Sequence, residues 1–272
     1  MSTNPIDLTP FPNNIGHILV PQIDRQTYTN FDFTIPTKTI IRLYGTVGAG
    51  KGTLAKGLMS NFDLTNLETS YILRSCTWIY EQLSLEFDDS NTDLVYNQLQ
   101  IKLDNKALTF FWKGNQLTNT ELRSDIVDQK VPIYSGNPYF RSLYYDRINY
   151  ILNNLVSTPV ILDGRGSNTP YLNMAEKDGF KIFRFFLWVN RSVAYQRFLS
   201  RLGIIETEIS KNQLQVNFQK NVIDRDMQDY NNIISNNLGT ISADTGIIDT
   251  SYLAPEEVLH VATNFIKKNL DN

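Results

Sequence analysis

The chain reads Gly-Thr-Val-Gly-Ala-Gly-Lys-Gly-Thr from Gly45 to Thr53, between an apolar run at 39–44 and a segment with helical spacing. Glycines let consecutive backbone N–H groups turn toward one anion, and the helix beginning near Gly50 adds the positive end of its dipole. Lys51 supplies a full charge for the outer phosphates of a nucleotide. The pattern therefore predicts a phosphate-binding loop. The residues expected to contact the nucleotide are Gly45, Gly48, Ala49, Gly50, Lys51, Gly52, Thr53 and Leu54.

The composition is that of a globular protein with a substantial core, because 42% of the 272 residues are hydrophobic. A net charge of −3 gives no reason to expect a nucleic-acid or membrane-surface partner. One cysteine, Cys76, excludes an intrachain disulfide framework and a multi-cysteine zinc site. No signal peptide or apolar run of ~18 residues is evident. We therefore expect a cytoplasmic monomer that acts on a small molecule.

Strands and helices alternate from Thr39 onward, which predicts an α/β fold with a parallel sheet covered by helices on both faces. Continuous apolar runs at 159–162 and 183–189 are typical of buried parallel strands, and 247–249 is a short last strand. The predicted helices cover residues 51–60, 67–81, 138–155, 191–201, 217–233 and 255–270.

Two segments differ from this alternation. Residues 1–38 carry five prolines among polar residues, which predicts an irregular N-terminal extension. Residues 82–131 mix polar stretches with a β-like run at 108–112, which predicts a small inserted lobe with a hairpin. The main domain would then span 39–272, with its core at 39–81 and 132–272 and a polar lid at about 200–216.

Asp163 follows a predicted buried strand, at the carboxyl edge of the sheet where ligands gather. A carboxylate there can hold magnesium opposite the loop, or it can cap the following turn. Thr53 is a second candidate ligand for the metal, although Gly52 stands directly after Lys51 where the general pattern has Ser or Thr. ATP and Mg²⁺ are the expected cofactors.

A kinase with an anionic acceptor must bring two phosphate groups into contact. Two unit charges 4 Å apart repel by about 4 kcal/mol at an effective dielectric of about 20, so several cations have to offset the repulsion. Arginine suits this role because its planar fork binds phosphate oxygens in pairs. Taken singly, each arginine is also compatible with a solvated surface charge. The candidates near predicted element ends are Arg74, Arg141, Arg165 and Arg225.

From Thr39 to its C-terminus the chain resembles the cytidylate (CMP) kinase family of nucleoside monophosphate kinases, which have a P-loop NTPase fold. The resemblance implies transfer of the ATP γ-phosphate to CMP or dCMP with magnesium. The segments that carry it, besides the glycine-rich loop, are Glu68-Thr69-Ser70-Tyr71-Ile72-Leu73-Arg74, Glu121-Leu122-Arg123, Pro138-Tyr139-Phe140-Arg141, Asp163-Gly164-Arg165, the pair Arg225 and Asp229, and Ile248-Asp249-Thr250-Ser251.

On the acceptor side, the resemblance implies that Arg74 and Arg165 contact the acceptor phosphate and that Arg141 faces the base. Arg225 and Asp229 match the pair that holds the ribose hydroxyls. The residues expected to act in catalysis are Lys51, Arg165 and Arg225.

On the donor side, the arginine-rich lid of the family is reduced. Arg197 remains as an expected nucleotide contact, whereas Ala194 and Phe198 stand where the family has arginines. Tyr44 replaces the usual aspartate before the first glycine.

Departures from the family also concentrate in the acceptor site. Gly166 and Pro132 stand where the family reads cytosine, and Asn232 stands where it has a further arginine. Ser135 or Asn137 would have to substitute as cytosine contacts. Three hypotheses remain open: a kinase of CMP or dCMP, a nucleotide-binding protein that has lost efficient transfer and serves as a sensor or partner, and a kinase of this fold with another small-molecule acceptor.

Overall fold

The computed structural model describes residues 17–18, 31–164, 170–203, 214–224, 226 and 245–270. In chain order the strands are β1 (His17–Ile18), β2 (Thr39–Gly45), β3 (Thr65–Glu68), β4 (Leu99–Asp104), β5 (Ala107–Trp112), β6 (Asn115–Gln116), β7 (Val160–Asp163), β8 (Lys181–Trp188) and β9 (Thr245–Asp249). The labelled helices are α1 (Lys51–Asn61), α2 (Thr69–Leu83), α3 (Asp89–Gln98), α4 (Asn119–Leu122), α5 (Asp125–Tyr134), α6 (Pro138–Asn154), α7 (Pro170–Lys177), α8 (Arg191–Leu202) and α9 (Pro255–Leu270).

The centre of the molecule is a parallel sheet with strand order β1-β9-β8-β2-β7-β3. Strand β2 lies between β7 and β8 and is buried from Thr39 to Tyr44. Its register places Leu43 opposite Asp163 of β7 and Phe185 of β8. This parallel pairing confirms the predicted sheet. Apolar residues can follow one another along a strand without polar alternation where both faces of the sheet are covered.

The edge strand β3 is a correction to the sequence analysis, which had a helix from residue 67. Thr65 and Leu67 are buried and alternate with more exposed neighbours, and β3 pairs in parallel with β7, so helix α2 begins only at Thr69. Four residues are too few for periodicity to separate a strand from a helical turn.

Helices cover both faces of the sheet. Helices α1 and α9 pack on one face over Ile41, Leu43 and Phe185. Helices α2, α6 and α7 pack on the other face, where Ile40 and Leu162 point.

The inserted lobe is built on this second face. Its strands β4, β5 and β6 form an antiparallel sheet, helix α3 precedes them in the chain, and helices α4 and α5 follow them and pack on α2. Phe110 and Leu122 of the lobe belong to the same apolar cluster as Phe140 of α6 and Tyr171 of α7. The lobe and the parallel sheet therefore share one continuous core.

The N-terminal extension is described only in part. Strand β1 adds to the sheet beside β9, Phe33 packs on Phe62 with ring centroids 5.1 Å apart, and Ile35 is buried. Among the residues described, no helix has the length and apolar character needed to cross a membrane.

The segment after α8 is also described only in part. Helix α8 ends at Leu202. Of the lid predicted at about 200–216, residues 204–213 lie outside the described part of the chain. Residues 214–224 are helical and contain a π-helical turn at Gln219–Ile223. Of the helix predicted over 217–233, the part beyond residue 226 lies outside the description.

Candidate functional site

The glycine-rich loop connects β2 to α1 at the carboxyl edge of the sheet. Gly45, Gly48 and Gly50 have φ angles of 134°, 84° and 89°, which favour glycine. At Gly45 an added Cβ would lie 1.9 Å from the carbonyl oxygen of Leu187 in β8. Close approach of two backbones therefore requires the first glycine.

Helix α1 begins directly at the loop with Gly50 as its N-cap, and no side chain caps it. Helix geometry gives the N–H groups of a first turn no intrahelical acceptor, so this end of α1 suits an anion. Leu54 is different, because its N–H donates to Gly50 O at 2.9 Å and its side chain is buried. Leu54 therefore offers a nucleotide neither an unused N–H group nor an exposed side chain. Its contact with the nucleotide stays a prediction. Likewise, Ala49 N donates within the loop, to Thr46 O at 3.3 Å.

Lys51 folds back over the loop. Its Nζ donates to Gly45 O at 2.9 Å and to Thr46 O at 3.1 Å. The ammonium group thus lies against the backbone of the loop, and its charge acts on Asp163 at the end of β7. Thr53 is exposed on the first turn of the same helix.

Asp163 ends β7 beside the loop. The N–H of Gly164 donates to Leu43 O at 3.2 Å, which holds the end of β7 against β2. Burial raises the pKa of the Asp163 carboxyl, while the positive charges of Lys51 and Arg42 oppose this rise. The charge of the loop lysine therefore acts on this carboxylate, and their joint role in binding stays a prediction.

Arg42 is a site residue that the sequence analysis missed. It is only 2% exposed in the central strand, and its Nη1 donates to Leu162 O at 3.0 Å. A Cβ on Gly164 would lie 2.8 Å from the same nitrogen, so a side chain there would displace the guanidinium. An arginine inside the apolar run 39–44 was the signal that could have revealed it.

Arg197 of α8 reaches the loop, but it contacts protein rather than open space. Its Nη1 donates to Gly48 O at 3.0 Å and to Thr250 Oγ1 at 3.1 Å, and its Nη2 donates to Thr250 O at 2.6 Å. Thr250 Oγ1 also lies 3.0 Å from Ala49 O. These bonds tie the glycine-rich loop to the segment that follows β9.

Tyr44 and Phe198 each pack against an aromatic ring. The Tyr44 hydroxyl lies 3.1 Å from Thr245 Oγ1, and its ring packs edge-on against Phe186. Phe198 contacts Phe218 with ring centroids 5.7 Å apart, which joins α8 to the helical segment 214–224. Both side chains therefore serve packing in the described part of the chain.

A carboxylate already contacts the loop. Oδ1 of Asp226 accepts a hydrogen bond from Val47 N at 2.9 Å. Its charge also opposes the fall in the pKa of Arg191 that burial causes. The sequence analysis did not name Asp226 or Arg191 as site residues. The sequence alone does not show which groups these two side chains face.

On the acceptor side, Arg74 is tied to the inserted lobe. Its Nη1 donates to Leu122 O at 2.9 Å and forms an ion pair with Asp128 at 2.5 Å. Nearby, Arg123 donates to the hydroxyl of Tyr71 at 2.8 Å. Arg74 therefore connects α2 to the inserted lobe, and its guanidinium has a carboxylate partner there.

Arg141 donates from Nε to Ser135 O at 2.7 Å at the start of α6. Ser135 Oγ in turn donates to Pro132 O at 3.0 Å. Asn137 caps α6 by accepting from Tyr139 N at 2.9 Å. Both side chains that could substitute as cytosine contacts are thus engaged in local structure.

Three predicted site residues lie outside the described part of the chain, namely Arg165, Arg225 and Asp229, as do Gly166 and Asn232. Among the described residues, the structure brings together the loop, Asp163 and Arg197, and it places Arg74 and Arg141 on the lobe side of the sheet.

Comparison with known proteins identifies relatives of the whole domain. A family model described as cytidylate kinase matches residues 41–268. A cytidylate kinase of Caldanaerobacter subterraneus is 29% identical over 231 residues, covering 84% of this chain and 95% of that protein. One from Clostridium botulinum strain Okra is 25% identical over 233 residues, covering 84% and 98%. A solved shikimate kinase from Bacteroides thetaiotaomicron is 14% identical and covers 86% of this chain and 99% of its own, with a TM-score of 0.40, too low to support a conclusion.

Proposed function

This chain belongs to the cytidylate kinase family and is a nucleoside monophosphate kinase, and we propose that it transfers the γ-phosphate of ATP to CMP or dCMP. The observation that carries this proposal is the combination of an uncapped α1 N-terminus, Lys51 and Asp163 at one edge of a parallel sheet. We also propose that it works as a cytoplasmic monomer.

In this proposal the donor lies along the loop. Lys51 would exchange its bonds to Gly45 O and Thr46 O for oxygens of the outer phosphates, because an ammonium group gains more from an anion than from a carbonyl. Arg197 would hold the loop in shape from behind through Gly48 O. Arg225 would add a further positive charge during transfer, by resemblance.

Asp163 and Thr53 are oxygen donors near the loop and therefore suit magnesium, which prefers such ligands. When bound, the ion would neutralise charge on the donor phosphates. Asp163 is held at the end of β7 by the backbone bond from Gly164 to Leu43, so its carboxylate needs no large movement.

The acceptor would bind between α2, α6 and the lobe. An oxygen of its phosphate attacks the γ-phosphorus, the bond from that phosphorus to the bridging oxygen breaks, and ADP leaves. Arg74 and Arg165 would hold the acceptor phosphate, Arg141 would face the base, and Arg225 with Asp229 would hold the ribose. An anionic acceptor oxygen needs no strong general base, so positioning and positive charge would supply most of the rate.

A second candidate function is nucleotide binding without efficient transfer, as a sensor or partner. The ion pair between Arg74 and Asp128 and the local bonds of Ser135 and Asn137 favour it, because they leave the acceptor side with fewer available groups. A third candidate function is phosphorylation of another small molecule, and only the fold supports it.

A coupled assay of ADP release with a panel of nucleoside monophosphates and deoxynucleoside monophosphates tests the proposal. We expect acceptor-dependent turnover with CMP or dCMP. A Lys51→Met variant controls for contaminating kinases and should lose turnover. ATP binding with no acceptor-dependent release for any monophosphate would reject the kinase in favour of the binding protein.

A further inference from the structure

Helix α8 runs along the glycine-rich loop from its first turn. A Cβ on Gly48 would lie 3.5 Å from the Cβ of Ala194, and Arg197 one turn later bonds to Gly48 O. Arg191 is the first residue of this helix. Its side chain therefore starts one turn before the residues that contact the loop.

Arg191 is partly exposed, but two of its three guanidinium nitrogens are not. Its Nε and Nη2 are shielded from solvent and donate to no acceptor within the described part of the chain. Buried donors without partners cost free energy, and a positive charge at a helix N-terminus opposes the helix dipole. Burial accordingly lowers the pKa of Arg191. A bound ligand that supplies acceptors and negative charge would relieve both costs.

The backbone of the glycine-rich loop already binds one negative group, the carboxylate of Asp226. Asp226 accepts from Val47 N on the loop, and its charge acts on Arg191 from there. A carboxylate and a phosphate oxygen make the same kind of hydrogen bond to a backbone N–H. The side of the loop near Val47 therefore favours an anion within electrostatic reach of Arg191.

The position of Arg191 also fits the reduced lid. Ala194 stands where the family has an arginine, and Arg191 precedes it by three residues. Residues three apart lie on one face of a helix about one turn from each other. A long side chain at 191 can therefore serve the region that an arginine at 194 would serve.

We propose that Arg191 binds the phosphate tail of the donor nucleotide, in place of the arginine that the family has at Ala194. This inference rests on the proposed function in one respect, namely that the donor is a nucleoside triphosphate held by the glycine-rich loop. The negative charge of Asp226 acts on Arg191 and would repel phosphates that bind at the same side of the loop.

Calorimetric titration with ATP and with inorganic triphosphate tests this assignment. Arg191→Met should weaken both affinities about tenfold to a hundredfold, the range for loss of a charge-assisted hydrogen bond. Lys56→Met, which removes one exposed charge from α1, should change neither by more than about twofold because solvent screens it. Unchanged ATP affinity in Arg191→Met, or weaker ATP binding with unchanged triphosphate binding, would overturn the proposal.

A second variant decides the matter if Arg191→Met does not fold. Asp226→Asn keeps an oxygen that can accept from Val47 N but removes the negative charge, so triphosphate should bind more tightly. Equal or weaker binding would contradict the proposal. These titrations need no acceptor, so a negative monophosphate panel would leave them decisive, whereas failure of the wild-type protein to bind ATP would reject the donor assignment itself.

Discussion

Gly45 shows how one missing Cβ determines the geometry of the donor site. Its φ of 134° and the 1.9 Å separation between a Cβ and Leu187 O leave no room for a side chain. Gly52 differs, because a Cβ there meets nothing within 4 Å and its backbone is helical. The backbone of β8 thus excludes a side chain at Gly45, whereas Gly52 has room for one.

We expect Gly45→Ala to lower the free energy of unfolding by more than about 3 kcal/mol, since backbone strain adds to separation of β2 from β8. Gly52→Ala is the matched control and should stabilise the protein by about 0.5–1 kcal/mol, because alanine favours a helix. Denaturant unfolding measures both. Similar effects of the two substitutions would contradict the tight approach of the loop to Leu187.

Arg74 is the residue whose role depends most on its partner. If it binds the acceptor phosphate, Arg74→Met should raise the KM for the acceptor by about 10-fold to 150-fold, from the 1.5–3 kcal/mol of a charged hydrogen bond, and leave the KM for ATP unchanged. Asp128→Asn should lower the acceptor KM, because it removes the carboxylate that competes for the guanidinium.

Steady-state kinetics with each substrate varied in turn gives both KM values. Lys102→Met removes a charge that lies over Phe111 in the lobe and serves as a control for lobe charge. A purely structural Arg74 would change stability and both KM values together, and that result would contradict its assignment to the acceptor.

At the scale of elements, helix α8 links three parts of the donor site. Arg197 connects it to Gly48 and Thr250, while Phe198 connects it to the segment 214–224 through Phe218. Phe198 thus contributes packing between helices at this end of α8. Because one helix makes all these contacts, a substitution in α8 should affect both the glycine-rich loop and the segment 214–224.

Arg197→Met should lower the free energy of unfolding by about 1.5–3 kcal/mol and also weaken ATP binding, because it leaves the Gly48 and Thr250 carbonyls without a donor. Gln196→Met, on the exposed side of the same helix, should leave both quantities unchanged. Thermal unfolding and ATP titration check this. Weaker ATP binding at unchanged stability would instead mean that Arg197 contacts the nucleotide directly, as the resemblance implies.

At the scale of the whole molecule, the continuous core between the lobe and the sheet predicts one cooperative unfolding transition. Trp78 of α2 and Trp112 of β5 report on this junction, because their rings meet edge-on with centroids 5.1 Å apart. In a Trp188→Phe variant, fluorescence would follow these two residues alone. We expect its midpoint to coincide with that of far-ultraviolet circular dichroism. A fluorescence transition at lower temperature would mean that the lobe unfolds separately.

The sequence alone determined the phosphate-binding loop, the parallel sheet and the position of Asp163, because each depends on local features. Glycine spacing sets the loop, unbroken apolar runs mark buried strands, and a carboxylate after such a strand must lie at the ligand edge. Strand β3 escaped this reasoning because four residues carry too little periodicity.

Only the tertiary structure decided what the arginines contact. Arg74 meets Asp128, Arg197 meets Gly48 and Thr250, and Arg42 lies inside the core against Leu162. Each partner is far away in sequence, and a long side chain has many rotamers among which only packing and charge in the folded state select. A guanidinium is equally compatible with solvent, a carbonyl or a phosphate until the neighbouring elements are in place.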